Sequence, residues 1–418
     1  MIYDILVLQI LIFLMILIIY YHSFHFDGQA YGVIPKSLYF GNNLNISQDN
    51  STSEFPQIAA SGNKVYVVWE EEDEGTNGKK EIFFTSSLDG GITFGSIKNL
   101  SETNGTSEFP QIAASGNKVY VVWEEEDEGT NGKKEIYLRP SSDDGSSFKL
   151  IRNISRTLTG TSQFPQIAAS GNNVYVVWVD DINGNKDIYF KASPNSGQGF
   201  KGKKNLSETN GTSEFPQIAA SGNKVYVVWE DDTSGNKEIY FKASQKTGKI
   251  FKNTKKISNT TGISKFPDVD ILNNETYVIW QDENTTELQS AKQSNINNEN
   301  RIVFKHAKTD KMLFGSTNIL ESIGNTKSPK LIAGSDYFFG TWIANLPNNK
   351  STIEFYPFGY FEDFSGTGIV LDGQGVKASN PSMAVSGPNL FVVWQDTKLG
   401  NSDIFFKKIS QLDFLSHN

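Results

Sequence analysis

Seven tryptophans, Trp69, Trp123, Trp178, Trp229, Trp280, Trp342 and Trp394, each end a copy of one strand. A proline opens each copy: Pro56, Pro110, Pro165, Pro216, Pro267, Pro329 and Pro381. Successive prolines are 51 to 62 residues apart. A period in this range means a solenoid, a propeller or an array of small domains. Three copies share the identical run SEFPQIAASGNKVYVVWE, from Ser53, Ser107 and Ser213. A catalytic centre needs different residues from different copies. Near-identical copies suit a scaffold or a repeated binding surface better.

The first copy reads as four strands. Residues 57–61 are a short strand of small residues, and Gly62-Asn63 is a two-residue hairpin signal. Residues 64–70 follow with Val65, Val67 and Trp69 on one face and Tyr66 and Val68 on the other, so the sheet is covered on both sides. After the polar loop 71–80, residues 81–86 and 93–100 supply the third and fourth strands. Four antiparallel strands packed on both faces describe a propeller blade. A linear array of β-sandwiches is the alternative, but about 50 residues with both faces apolar cannot form a closed two-sheet core.

Ring closure follows from the chain ends. The last copy supplies three strands. Residues 40–56, FGNNLNISQDNSTSEFP, align without a gap with residues 94–110, FGSIKNLSETNGTSEFP. An orphan fourth strand therefore sits at the N-terminus, and pairing it with the last copy removes both sheet edges. The expected fold is all-β: a seven-bladed β-propeller of four-stranded antiparallel blades, the last closed by the N-terminal strand. One hydrophobic N-terminal helix precedes it. The expected boundaries are a signal anchor or signal peptide at 1–22, a linker at 23–36, the propeller at 37–410 and a tail at 411–418.

Residues 5–21 are apolar except for Gln9, about the lower length limit for a membrane span. They imply attachment to a membrane or export, and so an extracytoplasmic propeller. Eleven Asn-x-Ser/Thr triplets (Asn45, Asn50, Asn99, Asn104, Asn153, Asn205, Asn210, Asn259, Asn274, Asn284 and Asn349) could take glycans on such a chain. The same residues also suit turns. A net charge of −9 argues against nucleic acid as a partner, and the absence of cysteine excludes disulfides and thiolate chemistry.

The turn Ser87-Leu88-Asp89-Gly90-Gly91-Ile92-Thr93-Phe94 resembles the Asp-box of the sialidase-like BNR repeat family. Ser141, Asp143, Gly145, Ser147 and Phe148 repeat it. Copy three has Asn195 in place of the Asp, and copy four has Lys246. The resemblance spans roughly residues 38–410 and implies a structural role for Ser87, Asp89, Gly91, Thr93, Phe94, Ser141, Asp143, Gly145 and Phe148. It also implies glycosidase chemistry as one reading. Sialidases of that family use three arginines from different blades. This chain has four in all, and Arg139, Arg152 and Arg156 fall within one repeat, so no catalytic residue is assigned.

Acids follow each tryptophan but one: Glu71, Glu125, Asp180, Asp231, Asp282 and Asp396. They are expected to form a ring of negative charge on one face and to serve as a binding surface. In copy three, Asp181, Asn183, Asn185 and Asp187 alternate as oxygen donors, the chemistry that calcium takes. A Gly-Asn turn beside solvated acids accounts for the same residues. The resulting expectation is a non-catalytic extracytoplasmic propeller that binds a surface glycan or protein. The alternative is a sialidase-like glycoside hydrolase.

Overall fold

A computed structural model describes residues 38–411, apart from 49–50, 73–77, 127–131, 158, 183, 260–261, 284–299, 309–311, 321–324, 335–337, 347–348, 359–368 and 373–376. The apolar segment 5–21, expected to be helical, lies outside the described residues, as do Asn183 and the tail from 412. Among the described residues no helix is long and apolar enough to cross a membrane.

The chain forms seven sheets in a ring. Blade one is typical: Thr52–Ser61, Lys64–Glu72, Lys80–Ser87 and Lys98–Asn99, antiparallel in that order. The first strands of successive blades touch one another around the axis, and Ser379–Ser386 of blade seven touches Thr52–Ser61 of blade one, which closes the ring. Gly62 adopts φ +60° at the first hairpin, as a two-residue turn requires. The fourth strand, at the outer edge of the sheet, is only two residues long in blade one.

The N-terminal segment closes blade seven. Leu38–Phe40 pairs with the third strand, Asp403–Gln411, with Phe40 opposite Ile409, and Leu44 and Asn45 stand opposite Phe406 and Phe405. The N–H of Gly41 donates to Lys408 O at 2.8 Å, as Gly95 does to Ser86 O at 2.9 Å in blade one. Phe40 packs edge-on against Phe355 of blade six, and Phe94 packs likewise against Phe406 of blade seven. The two phenylalanines hold equivalent positions.

Tryptophan is the largest side chain in each blade, and all seven are fully buried. Trp69 stacks on Phe83, Trp178 on Tyr189 and Trp394 on Phe405 of the third strands. A second set of contacts joins the blades. Cations on five third strands donate to a main-chain carbonyl at the outer edge of the preceding blade. They are Arg139 to Leu100 O, Lys191 to Ile154 O, Lys242 to Leu206 O, Lys305 to Ile257 O and Lys407 to Leu371 O, at 2.6 to 2.9 Å.

Candidate binding site at the propeller axis

Every first strand carries a β-bulge at the same place, for example between Glu54 and Gln57, and between Gln163 and Gln166. The extra residue takes a left-handed conformation in all seven blades: Phe55, Phe109, Phe164, Phe215, Phe266, Ser328 and Asn380, with φ between 49° and 54°. A bulky residue there is an outlier that costs roughly 1–3 kcal/mol. The conformation belongs to the bulge, and the phenyl ring at five of the seven positions belongs to this sequence.

The five rings form an arc around the axis. Neighbouring centroids are 4.8, 6.0, 5.0 and 5.3 Å apart, with the planes tilted or edge-on. Ser328 and Asn380 leave the arc open on one side. Together the rings wall an axial channel of about 270 Å³, which prolines and Gln57, Gln111, Gln166 and Gln217 also line. Among the described residues the lining holds one ionisable side chain, Lys330, and no carboxylate, histidine or arginine.

Buried acids of the preceding blade hold the arc in place. The N–H groups of Phe109, Phe164 and Phe266 donate to Glu70, Glu124 and Glu230 at 2.6 to 2.7 Å, and Phe55 N–H donates to Gln395 at 2.8 Å. Burial pushes the carboxyl of Glu124 up to about 7 and raises Glu70 and Glu230. Lysines answer these charges. Lys80 lies 2.6 Å from Glu70, Lys134 lies 3.1 Å from Glu124 and 2.6 Å from Glu108, and Lys237 lies 3.2 Å from Glu230 and 3.0 Å from Glu214. The carboxylates beside the arc, Glu54, Glu108 and Glu214, are therefore all lysine-paired.

The acids expected to line one face lie inside the protein instead. Glu71, Glu125, Asp180, Asp231, Asp282 and Asp396 are all 3 % exposed or less. Five of them stand directly opposite a buried serine of the first strand, Ser53, Ser107, Ser162, Ser213 or Ser264, and accept its hydroxyl. Four also accept the indole N–H two residues earlier: Glu71 at 2.7 Å, Glu125 at 2.8 Å, Asp180 at 3.2 Å and Asp282 at 2.8 Å. The expected exposed ring of six acids is thus a set of buried groups inside the blades, and the indole N–H groups of Trp229 and Trp394 make no hydrogen bond to them. Blade six has Ala344 in place of the acid, and Glu354 of its third strand takes Trp342 N–H at 2.6 Å. In blade seven Asp396 accepts the N–H of Lys398 at 3.1 Å.

The proposed calcium donors are engaged separately. Asp181 accepts Thr161 N–H, the Asn185 amide donates to Thr209 O and Gly211 O, and buried Asp187 accepts the Ser207 hydroxyl. No group of three or more potential His, Cys, Asp or Glu ligands occurs among the described residues.

The two Asp-containing turns are built alike. Asp89 accepts the N–H groups of Ile92 and Thr93 and the hydroxyls of Ser87 and Thr93, at 2.6 to 3.1 Å. Asp143 accepts Ser141, Ser147 N–H and the Ser147 hydroxyl. Gly91 lies against Phe406, where a Cβ would sit 2.5 Å from the ring. Phe148 packs edge-on against Phe84 of the preceding blade. Several Asn-x-Ser triplets also have structural work. Asn45, Asn99, Asn153 and Asn205 accept the N–H three residues on, and Ser47, Ser101, Ser155 and Ser207 accept an N–H from the third strand.

No protein-family model and no curated protein matches the chain. Solved structures do. The polysaccharide lyase Uly1 is 12% identical with a TM-score of 0.56, covering 85% of this chain and 90% of its own. The GH93 alpha-L-arabinofuranosidase of Fusarium graminearum is 11% identical with a TM-score of 0.53, over 89% and 98%. A protein of unknown function from Dyadobacter fermentans is 11% identical with a TM-score of 0.52, over 90% and 99%. At these identities the likeness is one of fold, and the chain is a seven-bladed β-propeller of the architecture that glycoside hydrolases and a polysaccharide lyase share.

Proposed function

We propose that the chain is a non-catalytic binding module, displayed outside the cell through its apolar N-terminal segment, that receives a surface glycan or a protein side chain in the axial channel. The lining carries this reading: five phenyl rings and four glutamines face the axis, and no carboxylate does. Phenyl faces pack on apolar C–H groups, and amides donate to or accept from hydroxyls or peptide groups. The fold shared with glycoside hydrolases supports the alternative of a hydrolase. Glycoside hydrolysis, however, needs two free carboxylates across one bond, and the acids beside the channel are buried as braces or paired with lysines.

The test is a glycan array and a peptide library probed with the purified protein, beside a panel of fluorogenic glycosides. Specific binding that Phe109→Ala with Phe164→Ala abolishes, without glycoside turnover, is the expected result. Turnover lost in Glu108→Gln would establish the hydrolase instead.

A further inference from the structure

Charge is unevenly spread around the disc. The nine residues after the interblade phenylalanine form the outer edge of each blade. In blades two, three and four (149–157, 201–209 and 252–260) these segments hold nine cations and one acid, Glu208. Among the described residues, the equivalent segments of blade one (95–103), blade five (315–320) and the strand that closes blade seven (41–48) hold one cation, Lys98, and one acid, Glu102. Lys203 and Lys256 are paired with the buried Asp180 and Glu238; the other seven cations give a chain of net charge −9 a basic arc on three adjacent blades.

The arc is accessible. Lys149, Lys201 and Lys252 occupy one position in successive blades and are all exposed. Their N–H groups are fixed by Pro140 O, Ala192 O and Ala243 O, and no acid pairs with their ammonium groups among the described residues. Behind them, Lys191, Lys242 and Lys305 each hold a main-chain carbonyl, which satisfies one donor of each ammonium; Glu135, Glu208 and Asp282 offset part of their charge. Lys203 and Arg156 add to the burial that lowers the Lys191 ammonium. Between blades three and four the arc deepens into a hollow of about 660 Å³, lined by Lys204, Lys242, Lys252, Asn205, Asn253 and Glu208 among others.

We propose that the outer edge of blades two to four binds an acidic polysaccharide, a chain of uronate or sulfated sugars laid across the three blades. This is a second site, separate from the axial channel. One feature separates this partner from nucleic acid. Single-stranded nucleic acid is held by exposed aromatic platforms, whereas Phe148, Phe200 and Phe251 of the arc are half-buried between blades.

The test measures binding of the purified full chain, in neutral detergent, to polygalacturonate, heparin, neutral dextran, single-stranded DNA and phosphatidylserine vesicles. Binding to polygalacturonate or heparin and not to dextran is expected, weakening by roughly tenfold or more between about 50 and 200 mM salt. The triple variant Lys149→Glu, Lys201→Glu, Lys252→Glu should lose roughly tenfold or more of that affinity. The charge-matched triple Lys308→Glu, Lys327→Glu, Lys350→Glu, at exposed positions on blades five and six, should bind nearly as the parent does, and both triples should melt like it. Failure to bind either acidic glycan, equal loss in the two triples, or tighter binding to DNA or vesicles would overturn the proposal.

Discussion

Glu124 of blade two accepts the backbone N–H of Phe164 in blade three at 2.6 Å. One buried carboxylate thereby holds the neighbouring blade's phenyl ring at the axis, in a backbone conformation that phenylalanine rarely adopts. Blade seven does the same for blade one with an amide, Gln395 to Phe55.

That pairing gives a pH dependence. Burial raises the Glu124 carboxyl from an ordinary 4.5 to about 7, against the pull of Lys134. The folded state therefore holds the extra proton between these values. The contribution to stability is full below about 4.5 and is lost as the pH rises through 7. Glu124→Gln keeps an acceptor and removes the titration. Its melting temperature should fall less between pH 5 and pH 8 than the parent's, and an identical slope would refute the assignment. Glu124→Ala removes the acceptor and should cost about 1–3 kcal/mol.

Asp143 behaves in the opposite sense. The Ser147 hydroxyl and N–H, with Ser141, hold its carboxyl down to about 2. The stability this gives is present above about 4 and is lost as the pH falls through 2. Asn195 fills the same place in blade three, accepting Ser193 at 2.7 Å and Gly199 N–H at 2.9 Å. Asp143→Asn should therefore fold, with a slightly lower urea midpoint at pH 7, and its difference from the parent should shrink as the pH falls from about 4 toward 2. A constant difference across that range would show that the charge contributes nothing.

Glu125 is a brace. It accepts the Trp123 indole and the hydroxyls of Ser107 and Thr103. Glu125→Ala strands three donors and should cost about 3 kcal/mol or more, read from chemical denaturation. The folded fraction should keep full ligand affinity. Normal stability with lost binding would restore these acids to a binding role.

Closure by the N-terminal strand can be weighed with two truncations. A chain starting at Ser37 retains every pair made by Leu38, Tyr39, Phe40, Leu44 and Asn45. A chain starting at Ser53 exposes Ile404, Phe406 and Ile409, each now 1 % exposed or less. The second should melt far lower, by several kcal/mol on the order of what burying two or three such side chains contributes. Coincident melting curves would contradict closure.

The architecture was legible because it rests on period and register. Seven Pro–Trp copies and a gapless match of residues 40–56 to 94–110 suffice to count the blades and close the ring. The site was less legible because it depends on where a strand stops. The acids after tryptophan look like loop residues in a run such as WEEEDEG, yet the second strand extends to Glu72 and keeps Glu71 within the sheet. A usable signal existed: each of these acids but Asp396 belongs to a copy with a serine three residues before its proline. The phenyl arc left no comparable trace. Phe-Pro marks the position, but the left-handed bulge that turns the ring toward the axis is a product of strand pairing.

The interblade cations grip main-chain oxygen. Lys191 holds the carbonyl of Ile154, Lys242 that of Leu206 and Lys407 that of Leu371, and every residue type offers the same carbonyl. A seam made partly through backbone oxygen asks less of the preceding blade's sequence, and the side-chain contacts beside it, such as Phe148 on Phe84, come from residues that most copies repeat. Repeats exchanged by recombination therefore meet a joint that is largely ready for them. Three copies that share an 18-residue run, beside a sixth that has drifted to Ala344 and Glu354, are what such a modular seam permits.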